Sequence, residues 1–132
     1  MRITADTNVL VRAVVADDPA QSQVAIAALR AAEQIAVAVP ALCEFVWVLR
    51  RVYAFPVAEI SAAIRALMEA GNVSLDRAAV EAGLLQLEAG GDFADAVIAH
   101  QGQWLGGDTF LSFDRQAVAL LQQRGIAAEL LT

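Results

Sequence analysis

The sequence predicts an α/β protein, a three-layer α/β/α sandwich around a central, mostly parallel sheet. Short apolar, β-branched runs alternate along the chain with longer segments of helical periodicity, which is the pattern of successive βα units. Two of the strand candidates end on an aspartate that is followed by a helix start, as strands do where an open parallel sheet meets its crevice. The chain has 132 residues, 58% of them hydrophobic and 18% charged, so it is large and apolar enough to bury a core. A single domain over residues 1–132 is the expectation.

The first strand, residues 3–5, is short and stops at Asp6, where the polar pair Thr7-Asn8 turns the chain into a helix. The next helix start is better marked. Asp17-Asp18-Pro19 supplies a capping acid before a proline at the first helical position, and Val24, Ala28 and Ala31 then fall on one face. Residues 35–39 alternate β-branched residues with Ala as a second strand, and Pro40 opens a helix to about Val52. A helix over 57–70 is closed by Gly71, and Val73 and Leu75 make a short strand. Asp76 then caps a helix that runs to Gly90-Gly91. Asp92 starts a helix to about Trp104, residues 109–113 form a strand, Asp114 begins the last helix, and 126–131 form a final strand.

Composition narrows the functions. Cys43 is the sole cysteine, which excludes an intramolecular disulfide and a thiolate metal cluster and suits a reducing cytoplasm. Asp6 interrupts the apolar N-terminal stretch and no run of about 18 apolar residues exists, so neither a signal peptide nor a membrane partner is expected. All nine basic residues are Arg, and the formal net charge of −6 opposes a surface that grips phosphate through many cations. That objection weakens if the acids are grouped to bind divalent ions, which then meet the phosphate.

Four acids stand out by position. Asp6 and Asp114 each follow a strand, where an acid either faces the crevice or caps the next helix. Glu44 has Pro40, Ala41, Trp47 and Val48 as helical neighbours, so it projects from an apolar stripe, and Arg50 and Arg51 lie too far along for an easy ion pair. A metal ion or a distant residue is its expected partner. Asp92 and Asp95, three apart at a helix start, share a face near the positive end of the helix dipole, with Asp92 the better cap. Carboxylates meeting in one crevice repel unless cations sit among them, and oxygen-only donors suit Mg²⁺ or Mn²⁺. Such a site hydrolyses phosphodiesters. His100 is the only histidine and reads as a surface or packing residue, so no Ser-His-Asp set competes. Thr7, Asn8 and Ser112 sit beside the proposed ligands as orienting groups or as turn residues.

The segments ADTNVLVR (5–12), PALCEFVWVLRR (40–51), GGDFADAVIAH (90–100) and FLSFDRQA (110–117) occur in the order and spacing of PIN-domain ribonucleases. The chain resembles that family over nearly its whole length, and within it the VapC-type toxins of type II toxin–antitoxin pairs. The resemblance implies a PIN-like three-layer fold and catalytic, metal-binding acids at Asp6, Glu44, Asp95 and Asp114, with Asp92 as a further acid. It matches the family's Ser or Thr beside the last acid to Ser112 and its Asn near the first to Asn8. It further implies Mg²⁺-dependent cleavage of RNA, a homodimer, and a small antitoxin protein as partner. Arg12, Arg50, Arg51 and Arg115 are candidates for holding RNA phosphates, the alternative for each being solvated surface charge. The helical segments 57–68 and 80–87 are apolar enough either to fill the core or to leave patches for another chain. Two other functions compete: a non-catalytic binding module on the same fold, and a different Mg-dependent phosphohydrolase.

Overall fold

Strands and helices alternate along the computed structural model, which describes Met1–Thr132, in the order β1 (Arg2–Thr4), α1 (Thr7–Val14), α2 (Pro19–Ala31), β2 (Gln34–Ala36), α3 (Val39–Arg51), α4 (Val57–Glu69), β3 (Val73–Ser74), α5 (Arg77–Glu88), α6 (Phe93–Trp104), β4 (Phe110–Ser112), α7 (Arg115–Gln123) and β5 (Ala128–Leu130). The chain divides into two units, Met1–Asp76 and Arg77–Thr132.

In the first unit β2 lies between β1 and β3, and both pairings are parallel. Ile35 opposes Ile3 on one side and Val73 on the other, and it is buried, as the middle strand of a covered parallel sheet requires. On the polar face, Arg2 donates to the Gln34 side-chain oxygen at 2.6 Å and Gln34 donates to Ser74 Oγ at 2.6 Å, so one chain of hydrogen bonds crosses all three strands. Backbone bonding continues past the strand ends, with the Ala5 N–H reaching the Ala36 carbonyl at 3.0 Å, and this fixes where Asp6 emerges. α1 packs against α2 and α3, and α3 against α4. Leu10, Leu42, Phe45, Val46, Leu49, Ile60 and Ile64 are the large, fully buried side chains of this unit.

In the second unit β4 and β5 pair in parallel, with α7 against both, and α5 lies along α6. Gly90, at a φ of 98° that only glycine adopts freely, ends α5. The α5–α6 packing depends on Gly83. A methyl group at its Cα would lie 2.5 Å from the Phe93 ring, which is itself fully buried. Gln86, a fully buried polar residue, donates to the Ala117 carbonyl at 3.4 Å and accepts from Arg124 at 2.7 Å, joining α5 to α7.

All strand pairs are parallel and all twelve elements lie where the sequence indicates, with strand ends shifted by one to three residues. Two details differ, and one open alternative is resolved. Val24, Ala28 and Ala31 face solvent, and the inner face of α2 is Ser22 and Ala25, because small residues on both sides leave the helix almost no apolar asymmetry. Gly71 is not the cap of α4. Ala70 holds that position in extended geometry and donates to the Ala66 carbonyl. The apolar runs in α4 and α5 are largely core, with Ile60, Ile64, Val80, Leu84 and Leu87 fully buried.

Gly83→Ala is expected to destabilise the protein by about 1–3 kcal/mol through overpacking, outweighing the gain of about 1 kcal/mol in helix propensity. Thermal unfolding checks this, and Phe93→Leu in the same chain should recover part of the loss.

Candidate active site

In the second unit three acids are set by two helix starts. Asp92 is the N-cap of α6 and accepts from the Ala94 N–H at 3.4 Å, while Asp95 sits in the first turn and is half-buried. Asp114 is the N-cap of α7, where one carboxylate oxygen accepts from the Ala117 N–H at 3.0 Å. The Asp114 N–H donates to Ser112 Oγ at 2.9 Å, so Ser112 fixes the backbone that aims this acid. Gln116 donates to the Gly90 carbonyl at 3.1 Å, tying the start of α7 to the turn that leads into α6. Burial, with the like charges of Asp92 and Asp114, pushes the Asp95 carboxyl up to about 6 from its ordinary 3.8. Asp92 and Asp114 therefore both lie within electrostatic reach of Asp95.

In the first unit Asp6 follows β1 and occupies the N-cap of α1, yet its side chain makes no capping hydrogen bond. Only its carbonyl is engaged, by the Val9 and Leu10 N–H groups. The carboxylate is exposed and is not spent on the helix. Thr7 is buried, and Asn8 lines a groove of about 460 Å³ between α1 and α2 with Val9, Gln21 and Val24.

Glu44 corrects the sequence reading. It is exposed, because the inner face of α3 runs through Leu42, Phe45, Val46 and Leu49, and Glu44 falls on the other side. Its need for a counter-charge therefore does not follow from burial. Arg12 is likewise not available as a free phosphate ligand: it donates to Asp17 at 2.6 Å, and Tyr53 donates to the same carboxylate at 3.1 Å. Arg51 and Arg115 are exposed, Arg50 is half-buried, and His100 is half-buried on α6 with its Nε2 unpartnered. Gln86 escaped the sequence reading; the available signal was its spacing from Ala79 and Gly83, seven and three residues back on the inner face of α5.

A family model for the PIN domain matches residues 3–120. The chain belongs to the PIN domain family. No curated protein matches it. PIN domains are nuclease-type folds, generally metal-dependent ribonucleases, and the seven helices and parallel strands seen here agree with the family's three-layer α/β/α fold. The match includes all five acids singled out above and continues across the division at Asp76. No helix of this PIN domain is long and apolar enough to cross a membrane.

The donor chemistry of the acids fits a hard divalent cation, since every candidate ligand is a carboxylate oxygen. The half-buried Asp95 charge between Asp92 and Asp114 is one that a cation would stabilise. The side chains as they stand do not gather three or more His, Cys, Asp or Glu at metal-binding spacing, and like-charge repulsion opposes their closer approach.

The folded-state value of Asp95 lies above that of the unfolded chain, so the native state holds the extra proton between pH 3.8 and about 6. The stability tied to this group is full below that window and lost as pH rises through it. Asp95→Asn, which removes the unfavourable charge, is expected to raise stability near neutral pH by about 1 kcal/mol after allowing for solvent screening. In acid, where the native carboxyl is already protonated, the same substitution should change little. Thermal melts at the two pH values check this, and equal effects in both would contradict it.

Proposed function

We propose that this PIN domain is an endoribonuclease that hydrolyses RNA phosphodiesters with Mg²⁺ or Mn²⁺, and that it acts as the toxin of a toxin–antitoxin pair. The observation that supports the chemistry most directly is the half-buried Asp95, whose carboxyl is raised by burial and by the like charges of Asp92 and Asp114 at two helix starts, in a chain of a nuclease family. Asp95 and Asp114 are the proposed ligands from the second unit, with Asp92 in support. Asp6 and Glu44 join the set through the family resemblance; in Asp6 the uncapped carboxylate adds to that support. Residues 1–132 form one PIN domain in this reading, since one family model runs through both units.

Bound to those carboxylates, a divalent cation supplies an activated water and stabilises negative charge on the phosphodiester. The chain's own residues do the rest. Ser112 holds the Asp114 backbone, and Gln116 holds the start of α7 against Gly90, so the carboxylates stay aimed without reorganisation during reaction. Arg51 and Arg115, both exposed, are the cations left to meet phosphate once Arg12 is committed to Asp17. The VapC resemblance extends the proposal to a cytoplasmic homodimer held inactive by a small antitoxin.

Purified protein should cut a single-stranded RNA internally in Mg²⁺ and not in a chelator. Asp6→Asn, Asp95→Asn and Asp114→Asn should each lower the rate by about 10²-fold or more, a loss in the range seen on removing one electrostatic catalytic group, while remaining folded. Full activity in the Asp95→Asn protein would remove the basis of the proposal. A second reading, a PIN-fold module that binds RNA without cutting it, draws on the spacing of the acids. It predicts RNA binding with no cleavage in any divalent metal.

A further inference from the structure

Beyond Glu44, the outer face of α3 carries side chains that the proposed metal set does not use. Pro40, Glu44, Trp47 and Arg51, spaced four, three and four residues apart, form one exposed stripe opposite the buried Leu42, Phe45 and Leu49. Trp47 is 60% exposed in the middle of this helix. An indole in water forgoes the largest apolar burial a side chain offers, and its flat π-face stands open to a partner. Along the helix the indole stands about 4.5 Å beyond Glu44, and Arg51 about 6 Å beyond the indole, at 1.5 Å rise per residue. Glu44 is the only acid in α3, and Arg50 and Arg51 make its last turn basic, against the formal net charge of −6 for the whole chain. Carboxylate, π-face and guanidinium thus follow one another in a line.

We infer that Trp47 is the stacking platform for an unpaired base of the RNA substrate and Arg51 its phosphate contact, the strand running along α3 away from Glu44. This rests on the nuclease reading above. A single strand presents what the stripe complements, a free base face beside an anionic phosphate, and an aromatic platform accepts any base. The guanidinium fork matches phosphate oxygens bidentately. A duplex exposes no free base face, so this stripe selects unpaired RNA.

The test uses the full chain carrying Trp104→Phe, which leaves Trp47 as the one indole of the two in the sequence. Titration with single-stranded oligoribonucleotide in chelator should quench Trp47 emission saturably, and the same sequence as duplex should not. In Mg²⁺, Trp47→Ala should raise KM for single-stranded RNA about tenfold, the size expected for one lost base stack, with kcat and melting temperature unchanged, and Trp47→Phe should restore most of it. Arg51→Ala should reduce the salt slope of binding by about one. An unquenched indole, or a Trp47→Ala protein with unaltered KM, overturns the inference, as does a substitution that only converts a dimer to a monomer. Metal-dependent cleavage with a silent Trp47 defeats this inference alone. Saturable quenching with no cleavage in any metal defeats the nuclease reading and leaves the RNA surface standing.

Discussion

Like charge on Asp92 and Asp114 acting on a half-buried Asp95 is the constraint on which the candidate site depends. Asp92 and Asp114 tolerate the arrangement because each ends a helix whose first N–H groups need acceptors and whose dipole favours negative charge. Asp95 has burial against it as well, and its carboxyl responds by keeping its proton to higher pH. The surrounding packing fixes the helix starts that carry the three acids. Gly83 admits the Phe93 ring so that α6 can start where it does, and Gln86 and Gln116 pin α7 to α5 and to the turn before α6. A neutral polar side chain buried at the centre of that framework is the expected device, since a buried charge would need a partner of its own.

An acidic protein as a nuclease is less contradictory than its net charge suggests. In the proposed function, bound cations would take the place of a lysine-rich surface, and a protein with nine Arg and no Lys retains the planar, bidentate donors that suit phosphate best. The basic end of α3 places two guanidiniums in one turn of a helix whose only acid is Glu44.

Much of this was legible in the sequence because local rules dominate at element boundaries. Asp18-Pro19 and Asp92 announced helix starts by capping chemistry, and the structure has both caps in place. Asp114 was visible as the residue after a strand, whether as cap or as functional acid, and it caps α7. Which way a helix faces was less legible when its composition was uniform. α2 is Ala-rich all round, so periodicity does not distinguish its inner side, and the apolar neighbours of Glu44 do not mark a buried stripe because Trp47 among them faces solvent. Long-range partners were not legible at all. Asp17 with Tyr53, and Gln86 with Ala117 and Arg124, depend on side-chain direction in three dimensions, and no spacing rule encodes them.

The last strand has a reach that its size conceals. β5 is three residues long and lies beyond the family match, which ends at 120, yet it is the only hydrogen-bonded neighbour of β4, and just past it the Leu131 N–H donates to the Ser112 carbonyl at 2.8 Å. Ser112 in turn holds the backbone of Asp114. Residues 128–131 therefore splint the loop on which an acid of the site is mounted. Trimming them by proteolysis, or straining them with a fused tag, would disturb that carboxylate through the main chain without touching any charged group.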